Sequence, residues 1–283
     1  MAERTVLGEF LRSRRARVSP EEAGVASYGA RRVPGLRREE LAQLAGVSVT
    51  YYTRLEQGQS LNASESVIDA IARALDLDDD ERTHLHDLAR PVPARRRRAP
   101  KPATARPGIR QMIGAMVNVP AVVVGRQNEV LAWNTLGHLL LAGHLDAGSP
   151  DRPADRPNLT RLLFLDPHHR DLHVRWEVEA ARAVASLRLV AGRYQDDREL
   201  AELIGELTMR SPEFSSLWSR QPVANCVSGT KLFRHPEVGD LELDFEVLHL
   251  PDESGHRTLM YSARPGSPSE AGLRLLMNAT PSR

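Results

Sequence analysis

The stretch LAQLAGVSVTYYTRLEQG, from Leu41 to Gly58, decides how the N-terminal part of the chain folds. Small and apolar residues recur in it at the spacing that two short helices need where they pack across a turn. Gly46 lies where the turn requires a positive φ, and Ser48 can cap the second helix. The spacing therefore predicts a helix-turn-helix. The residues expected in its core are Leu41, Ala42, Val47, Tyr52 and Leu55.

With those residues facing inward, the second helix presents its other face to the major groove of DNA. The candidate base-reading residues on that face are Val49, Thr50, Tyr51, Thr53 and Arg54. Arg54 can form a bidentate pair with guanine, and Val49 offers apolar contact to a thymine methyl group. Phosphate contacts orient a protein without reading sequence. The candidates for them are Arg37, Arg38, Ser48 and Tyr51.

The longer stretch GLRREELAQLAGVSVTYYTRLEQG resembles the Xre/Cro-type helix-turn-helix, and the resemblance extends over roughly residues 5 to 89. In that family an arginine of the first helix commonly pairs with the glutamate that ends the recognition helix. Arg15 and Glu56 stand in the matching places. The resemblance therefore implies a structural ion pair, and Arg15 is not counted among the DNA contacts.

Apolar residues three or four apart predict five short helices within an all-α domain over residues 1–90. Ser64 is the expected N-cap of the fourth helix, and Asp78 or Asp79 opens the fifth. The Gly-, Ser- and Pro-containing segment Ser19 to Pro34 is expected to be a loop between the first two helices.

Residues 91–109, PVPARRRRAPKPATARPGI, are predicted to be a linker because repeated prolines and clustered arginines disfavour regular helix. The run Arg95 to Arg98 has two interpretations, a solvated tether or an additional contact to phosphates. The two are compatible, and the tether is favoured.

Beyond the linker, residues 110–279 are predicted to form an α+β domain. Strands are indicated by the β-branched run AVVV at 121–124, by EVLAW at 129–133 and by the alternating LELDFEVLHL at 241–250. Helices are indicated near 135–145, 159–165, 172–190, 196–208 and 268–278.

Several stretches of this region, among them PAVVVGRQNEVLAWN and HPEVGDLELDFEVLHLP, resemble the MmyB-like ligand-binding domain. The resemblance implies a PAS-like α/β sensor fold that holds a small apolar ligand, fatty acids among them. The candidate ligand contacts are Arg126, Trp133, Asn134, Arg161 and Trp176. Each has an ordinary alternative. Tryptophans are more often found in core packing, an asparagine at the position of Asn134 more often caps a helix, and arginines more often form surface ion pairs.

Composition narrows the function. At 283 residues with 41% hydrophobic and 27% charged residues, the sequence is typical of a folded cytoplasmic protein, and neither a signal peptide nor a membrane span is expected from it. Its N-terminal part is net basic and its C-terminal part net acidic, which fits a phosphate-facing surface in the former. No catalytic motif is found, and His168, His169 and His173 are not interpreted as a metal site.

These observations together predict a sequence-specific transcriptional regulator that binds double-stranded DNA as a homodimer and responds to a fatty-acid-like effector, without a cofactor. The alternative is a constitutive DNA-binding regulator whose C-terminal domain serves only for dimerisation. An enzyme fused to a DNA-binding domain is the third and weakest hypothesis.

Overall fold

A computed structural model describes residues 5–25, 35–59, 63–90, 103–251 and 255–278. The described residues group into two compact units. Unit 1 comprises those of Met1–Arg96 with Arg188–Asp197 and Ser219–Asn225, and unit 2 comprises the rest. The sequence predicts two continuous domains, whereas two short segments from the C-terminal half belong to unit 1.

The N-terminal part of unit 1 contains the five predicted helices. They are α1 (Val6–Arg15), α2 (Arg38–Leu44), α3 (Val49–Glu56), α4 (Glu65–Ala74) and α5 (Asp79–Ala89). The predicted caps are also present, since the Ser64 hydroxyl accepts from the Val67 backbone N–H and Asp78 accepts from that of Glu81. The apolar stripes of all five helices meet in one core, in which Phe10, Leu41, Tyr52, Ile71 and Leu85 have no exposed surface.

Much of the predicted linker, including Arg95 to Arg98, lies outside the described residues, as do residues 26–34 of the predicted loop. Helix α6 (Pro107–Ala115) begins inside the last part of that linker. Proline is compatible with this position because the first residue of a helix needs no backbone N–H donor.

Unit 2 is built on an antiparallel sheet of five strands in the order β2-β1-β5-β4-β3. The strands are β1 (Ala121–Val124), β2 (Val130–Trp133), β3 (Ser228–His235), β4 (Gly239–His249) and β5 (Arg257–Ser262). Strand β4 alternates as predicted, with Leu241, Leu243 and Phe245 buried and the residues between them exposed. The sequence did not predict β3 and β5, in which polar residues interrupt the apolar pattern.

Helices accompany this sheet, and the predicted α+β class is confirmed. They are α7 (Thr135–Ala142), α8 (Leu159–Leu165), α9 (Pro167–Leu172), α10 (Trp176–Arg193), α11 (Arg198–Arg210), α12 (Pro212–Ser219) and α13 (Pro268–Asn278). The sequence did not predict α12, and it indicated α9 only through the helix start expected at Asp166-Pro167. Within the described ranges, none of the helices combines the length and the apolar character needed to cross a bilayer.

Close packing of α7 on β1 generates a testable prediction. A Cβ atom at Gly137 would lie 2.5 Å from the Ala121 carbonyl oxygen, which is part of the strand backbone. The helix would have to move away from the strand, so Gly137→Ala is expected to lower the free energy of unfolding by about 1–3 kcal/mol in urea titrations.

The matched control is Gly205→Ala in the exposed middle of α11, where an added Cβ meets no atom within 4 Å. This substitution is expected to raise the free energy of unfolding by about 0.5–1 kcal/mol, because alanine favours the helix. Equal effects of the two substitutions would contradict the packing described here.

Candidate DNA interface and ligand cavity

A buried carboxylate joins the first three helices of unit 1. The Glu56 side chain, at the end of α3, is fully buried. Arg15 of α1 donates to it from Nε at 2.9 Å, and Arg38 of α2 donates from Nη2 at 2.8 Å. Arg12 lies at 3.7 Å from the same carboxylate. The predicted pairing of Arg15 with Glu56 is confirmed, and Arg38 extends it to α2.

The guanidinium groups keep Glu56 ionised. Burial alone would raise the pKa of the Glu56 carboxyl, but hydrogen bonds and charge from Arg15, together with a hydrogen bond from Arg38, outweigh it and hold the pKa below its usual value. Burial likewise raises the pKa of the neighbouring Tyr52 hydroxyl, which therefore stays neutral.

The chain enters α2 through a close backbone contact. Arg15 donates from Nη1 to the Leu36 carbonyl at 2.7 Å, and the Leu36 N–H donates to the Arg15 carbonyl. Gly35, with φ of 70°, makes this approach possible, because a Cβ there would lie 2.2 Å from the Arg15 carbonyl oxygen. The start of α2 is thereby fixed on the end of α1.

The recognition helix α3 has the predicted inner and outer faces. Tyr52 and Leu55 have no exposed surface, whereas Val49 is 46% exposed. Thr50 and Arg54 are also exposed, and Tyr51 and Thr53 are half-buried. Ser48 caps the helix by accepting from the Tyr51 N–H at 3.1 Å. The five candidate base-reading residues thus share one helix and one accessible side, and their contact with DNA stays a prediction.

The two candidate phosphate-binding arginines differ in their surroundings. Arg37 is half-buried at the N-cap of α2, where its backbone N–H donates to Glu40. Arg38 donates to Glu56 from both Nε and Nη2, with its side chain 38% exposed. Arg38 therefore has a structural role that the sequence did not predict. A substitution at Arg37 tests phosphate contact without removing the hydrogen bonds to Glu56.

The candidate ligand contacts Trp133 and Asn134 lie at the junction of β2 and α7. Asn134 is buried, and its Oδ1 accepts from the Ala121 and Gly137 backbone N–H groups. Its Nδ2 donates to the carbonyls of Met116 and Val119 at 2.8 and 2.7 Å. Trp133 donates from its indole N–H to the Ala147 carbonyl. Both residues thus have the ordinary structural roles that the sequence left open.

The other three candidates are dispersed. Arg161 is exposed and pairs with Glu206 at 2.7 Å, and Arg126 is half-buried in the turn after β1. Trp176 is buried at the start of α10, donates to the Leu163 carbonyl and lies under the Arg170 guanidinium. None of the five candidates is among the residues that line the cavity of unit 2 described next. Their contact with a ligand stays a prediction.

That cavity, the unit 2 cavity, has a volume of about 130 Å³. Its apolar wall is formed by Leu141, Leu159, Leu163, Phe245, Val247 and Leu259. Apolar walls with a few polar groups are typical of small-molecule sites. Because these residues come from helices and from strands that lie far apart in the sequence, the cavity was not apparent from local patterns.

Charged side chains form part of the same lining. Glu179 accepts from Arg182 at 3.0 Å and from the Lys231 ammonium. Arg257 donates to the amide oxygen of Asn128, which in turn donates to the Thr160 hydroxyl. Among the described residues of this lining, the cations outnumber the carboxylates, since Glu179 is the one acidic residue there.

Two buried histidines complete the polar part of the cavity. His169 and His173 are only 4% and 7% exposed, and their ring centroids lie 5.3 Å apart. Burial lowers the pKa of His169 to about 3 and that of His173 well below its usual value, so both imidazoles are neutral. Both ring nitrogens of His169 and Nδ1 of His173 have no hydrogen-bond partner. The sequence had assigned these residues only to a discounted metal site.

Comparison with known protein families identifies one domain in each half of the chain. Residues 105–276 match the family model described as the MmyB-like transcription regulator ligand binding domain. Residues 6–85 match a helix-turn-helix domain. No curated protein is similar enough to the chain to count as a match. The two resemblances noted in the sequence are thereby confirmed.

The buried carboxylate generates a second prediction. Glu56→Gln leaves Arg15 and Arg38 facing a neutral amide, so the free energy of unfolding is expected to fall by about 3–5 kcal/mol. Glu39→Gln on the exposed side of α2 is the matched control, with an expected loss below about 1 kcal/mol. Urea titrations monitored by circular dichroism measure both.

The pH dependence provides a further check on this assignment. Since the folded-state pKa of Glu56 is depressed, its stabilisation is present above the ordinary glutamate pKa and is lost as pH falls towards the folded value. The wild-type protein should therefore lose stability in acid more steeply than Glu56→Gln. Parallel acid profiles would show that the carboxylate does not carry this stabilisation.

Proposed function

Because the chain belongs to the MmyB-like transcription regulators and carries a helix-turn-helix domain, we propose that it binds specific operators as a homodimer under the control of a small apolar acid. The matched domains are those of a ligand-modulated DNA-binding transcription regulator. The proposal adds the dimer, the residues that read DNA and the fatty-acid-like character of the effector.

The observation that carries the DNA-binding proposal is the accessible side of α3. Val49, Thr50 and Arg54 are exposed there, while the inner side is anchored through Glu56. An α-helix held in this way fits the major groove, in which Arg54 can donate two hydrogen bonds to guanine. Arg37 at the start of α2 is suited to a neighbouring phosphate.

A helix-turn-helix domain covers only a short half-site, and dimers of such domains bind two half-sites about one helical turn apart. We therefore expect the operator to be a pseudo-palindrome, in keeping with the two-fold symmetry of a homodimer. The unit 2 cavity is the proposed receptor for the effector. Ligand binding alters DNA affinity only if the ligand has different affinities for the DNA-bound and DNA-free states.

The DNA-binding proposal is tested by two arginine substitutions. Arg54→Ala is expected to weaken operator binding by about 1–3 kcal/mol and to relax the preference at one base pair. Arg37→Ala is expected to weaken binding to all sequences alike and to reduce the dependence of affinity on salt, because a phosphate contact carries no sequence information.

Both effects are measured by fluorescence anisotropy on the operator and on single-base variants of it, at several salt concentrations. If the two substitutions give the same pattern across sequences, the recognition helix is not oriented in the groove as proposed. Binding that is blind to sequence and insensitive to salt would remove the proposal altogether.

The dimer and the effector are tested together by native mass spectrometry of the gently purified full chain. The expected result is a dimer mass with a small adduct that mild activation removes, accompanied by a change in operator affinity when the adduct is lost. A dimer without any adduct, and with operator affinity unchanged by candidate acids, would instead support a C-terminal domain that serves only for dimerisation.

A further inference from the structure

Cys226 is the only cysteine of the chain, and it lines the unit 2 cavity. Its side chain is half-buried, and the thiol donates to the Arg182 carbonyl at an Sγ–O distance of 4.0 Å. Because the chain has no second cysteine, the thiol cannot form a disulfide within it. A small molecule that enters the cavity therefore meets a thiol.

This thiol is the strongest nucleophile among the described side chains of the lining. Lys231 is an ammonium paired with Glu179, and a protonated amine has no electron pair with which to attack. The hydroxyl groups of Thr160 and Ser186 are weak nucleophiles unless a base activates them, whereas a thiol is intrinsically strong. A reactive compound in the cavity is therefore expected to form its bond at Cys226.

Unmet hydrogen bonds lie on the same lining and independently indicate a ligand. Buried polar atoms in proteins nearly always have a hydrogen-bond partner. Both ring nitrogens of His169 and Nδ1 of His173 have none, although these side chains are only 4% and 7% exposed. A neutral imidazole offers one N–H donor and one acceptor. A carbonyl oxygen is a suitable acceptor for the His169 N–H.

The charged side chains of the lining favour a ligand without charge. Arg182 and Lys231 both donate to Glu179. Arg257 donates to the amide oxygen of Asn128. Breaking a buried ion pair is costly, and an uncharged ligand leaves these contacts intact.

The volume of the cavity limits the ligand to a few atoms. An apolar cavity of about 150 Å³ accommodates benzene. The unit 2 cavity, at about 130 Å³, is smaller, and much of its wall is apolar. We therefore expect a ligand smaller than benzene, such as a short carbonyl compound.

We propose that the unit 2 cavity admits small α,β-unsaturated carbonyl compounds and that Cys226 is the residue they modify. The sulfur forms a bond to the β-carbon while the carbon–carbon π bond breaks, and its electron pair moves towards the carbonyl oxygen. The His169 N–H donates to that oxygen as negative charge develops on it. The proton lost by the thiol ends on the α-carbon, so the step needs no oxidant and releases no leaving group.

The position of Cys226 in the chain connects this chemistry to DNA binding. It directly follows Ser219–Asn225, a segment that belongs to unit 1. Within that unit the Asn225 N–H donates to the Asp80 carboxylate at 2.7 Å. An adduct on the next residue is therefore expected to alter operator affinity. This last step rests on the proposed function, whereas the modification itself does not.

The test is intact-mass spectrometry of the full chain treated with two vinyl ketones that share one reactive group. Methyl vinyl ketone is smaller than benzene, and phenyl vinyl ketone is larger. With each rate divided by that of glutathione, the folded protein is expected to react at least about tenfold faster with the methyl compound, because the cavity excludes the phenyl group. In urea this difference should vanish. Absence of a methyl vinyl ketone adduct, or equal normalised rates in the folded protein, would overturn the proposal.

Substitution identifies the reacting atom and the donor. Cys226→Ser is expected to lose the fast-forming adduct, and its persistence would assign the reaction to another side chain. His169→Gln is expected to slow methyl vinyl ketone about fivefold but to leave methyl methanethiolsulfonate, which has no carbonyl, within about twofold. His86→Gln is the matched control, because His86 pairs with Asp69 at 2.9 Å in unit 1 and does not line the cavity.

Equal slowing of both reagents in His169→Gln would contradict its role as donor to the carbonyl. If that variant does not fold, the comparison of the two vinyl ketones on the wild type decides the proposal.

Operator binding separates this inference from the proposed function. Fluorescence anisotropy is measured on wild type and on Cys226→Ser, each before and after treatment, and a change in the wild type alone is expected. If the adduct forms and operator affinity is unchanged, the modification site stands and the response to it is overturned. If no adduct forms while a copurified small molecule still alters operator affinity, the proposed function stands and the modification site is overturned.

Discussion

The Glu56 carboxylate has no exposed surface, and guanidinium groups from two other helices donate to it. Withdrawing a carboxylate from water costs several kcal/mol, and this cost is offset only while those donors stay in place. Any shift of α3 relative to α1 or α2 breaks one of these hydrogen bonds. The outward face of α3 is therefore held in a fixed orientation, and a preorganised face loses less conformational entropy when it binds DNA.

Local chemistry made most of unit 1 predictable. The turn glycine, the helix caps and the apolar spacing each depend on residues within one or two helical turns, so they can be identified without knowing the tertiary structure. The pairing of Arg15 with Glu56 came from family resemblance rather than from spacing. Arg38 was predicted to contact phosphate. Its structural role was missed, because nothing in the local pattern reveals that α2 brings it to Glu56.

Unit 2 was less predictable for a related reason. β-Branched or alternating runs identified β1, β2 and β4, whereas β3 and β5 carry polar residues that break the alternation. Those two strands contribute Lys231 and Arg257 to the cavity, and the short helix α9 contributes His169. Sequence reasoning therefore selected tryptophans and arginines on the elements it had recognised. Most of the apolar wall of the cavity lies on elements that were recognised, whereas Lys231 and Arg257 come from strands that were missed.

An unpartnered buried imidazole is not by itself a binding site, as His84 shows. Its ring nitrogens also have no hydrogen-bond partner, and burial lowers its pKa to about 3. However, the ring packs edge-on against Phe10 at 5.0 Å inside the core of unit 1, and it does not line the unit 2 cavity. His169 and His173 combine the same unmet hydrogen bonds with a cavity and nearby cations. A ligand that supplies those bonds stabilises the folded protein as it binds, which couples effector affinity to the stability of unit 2.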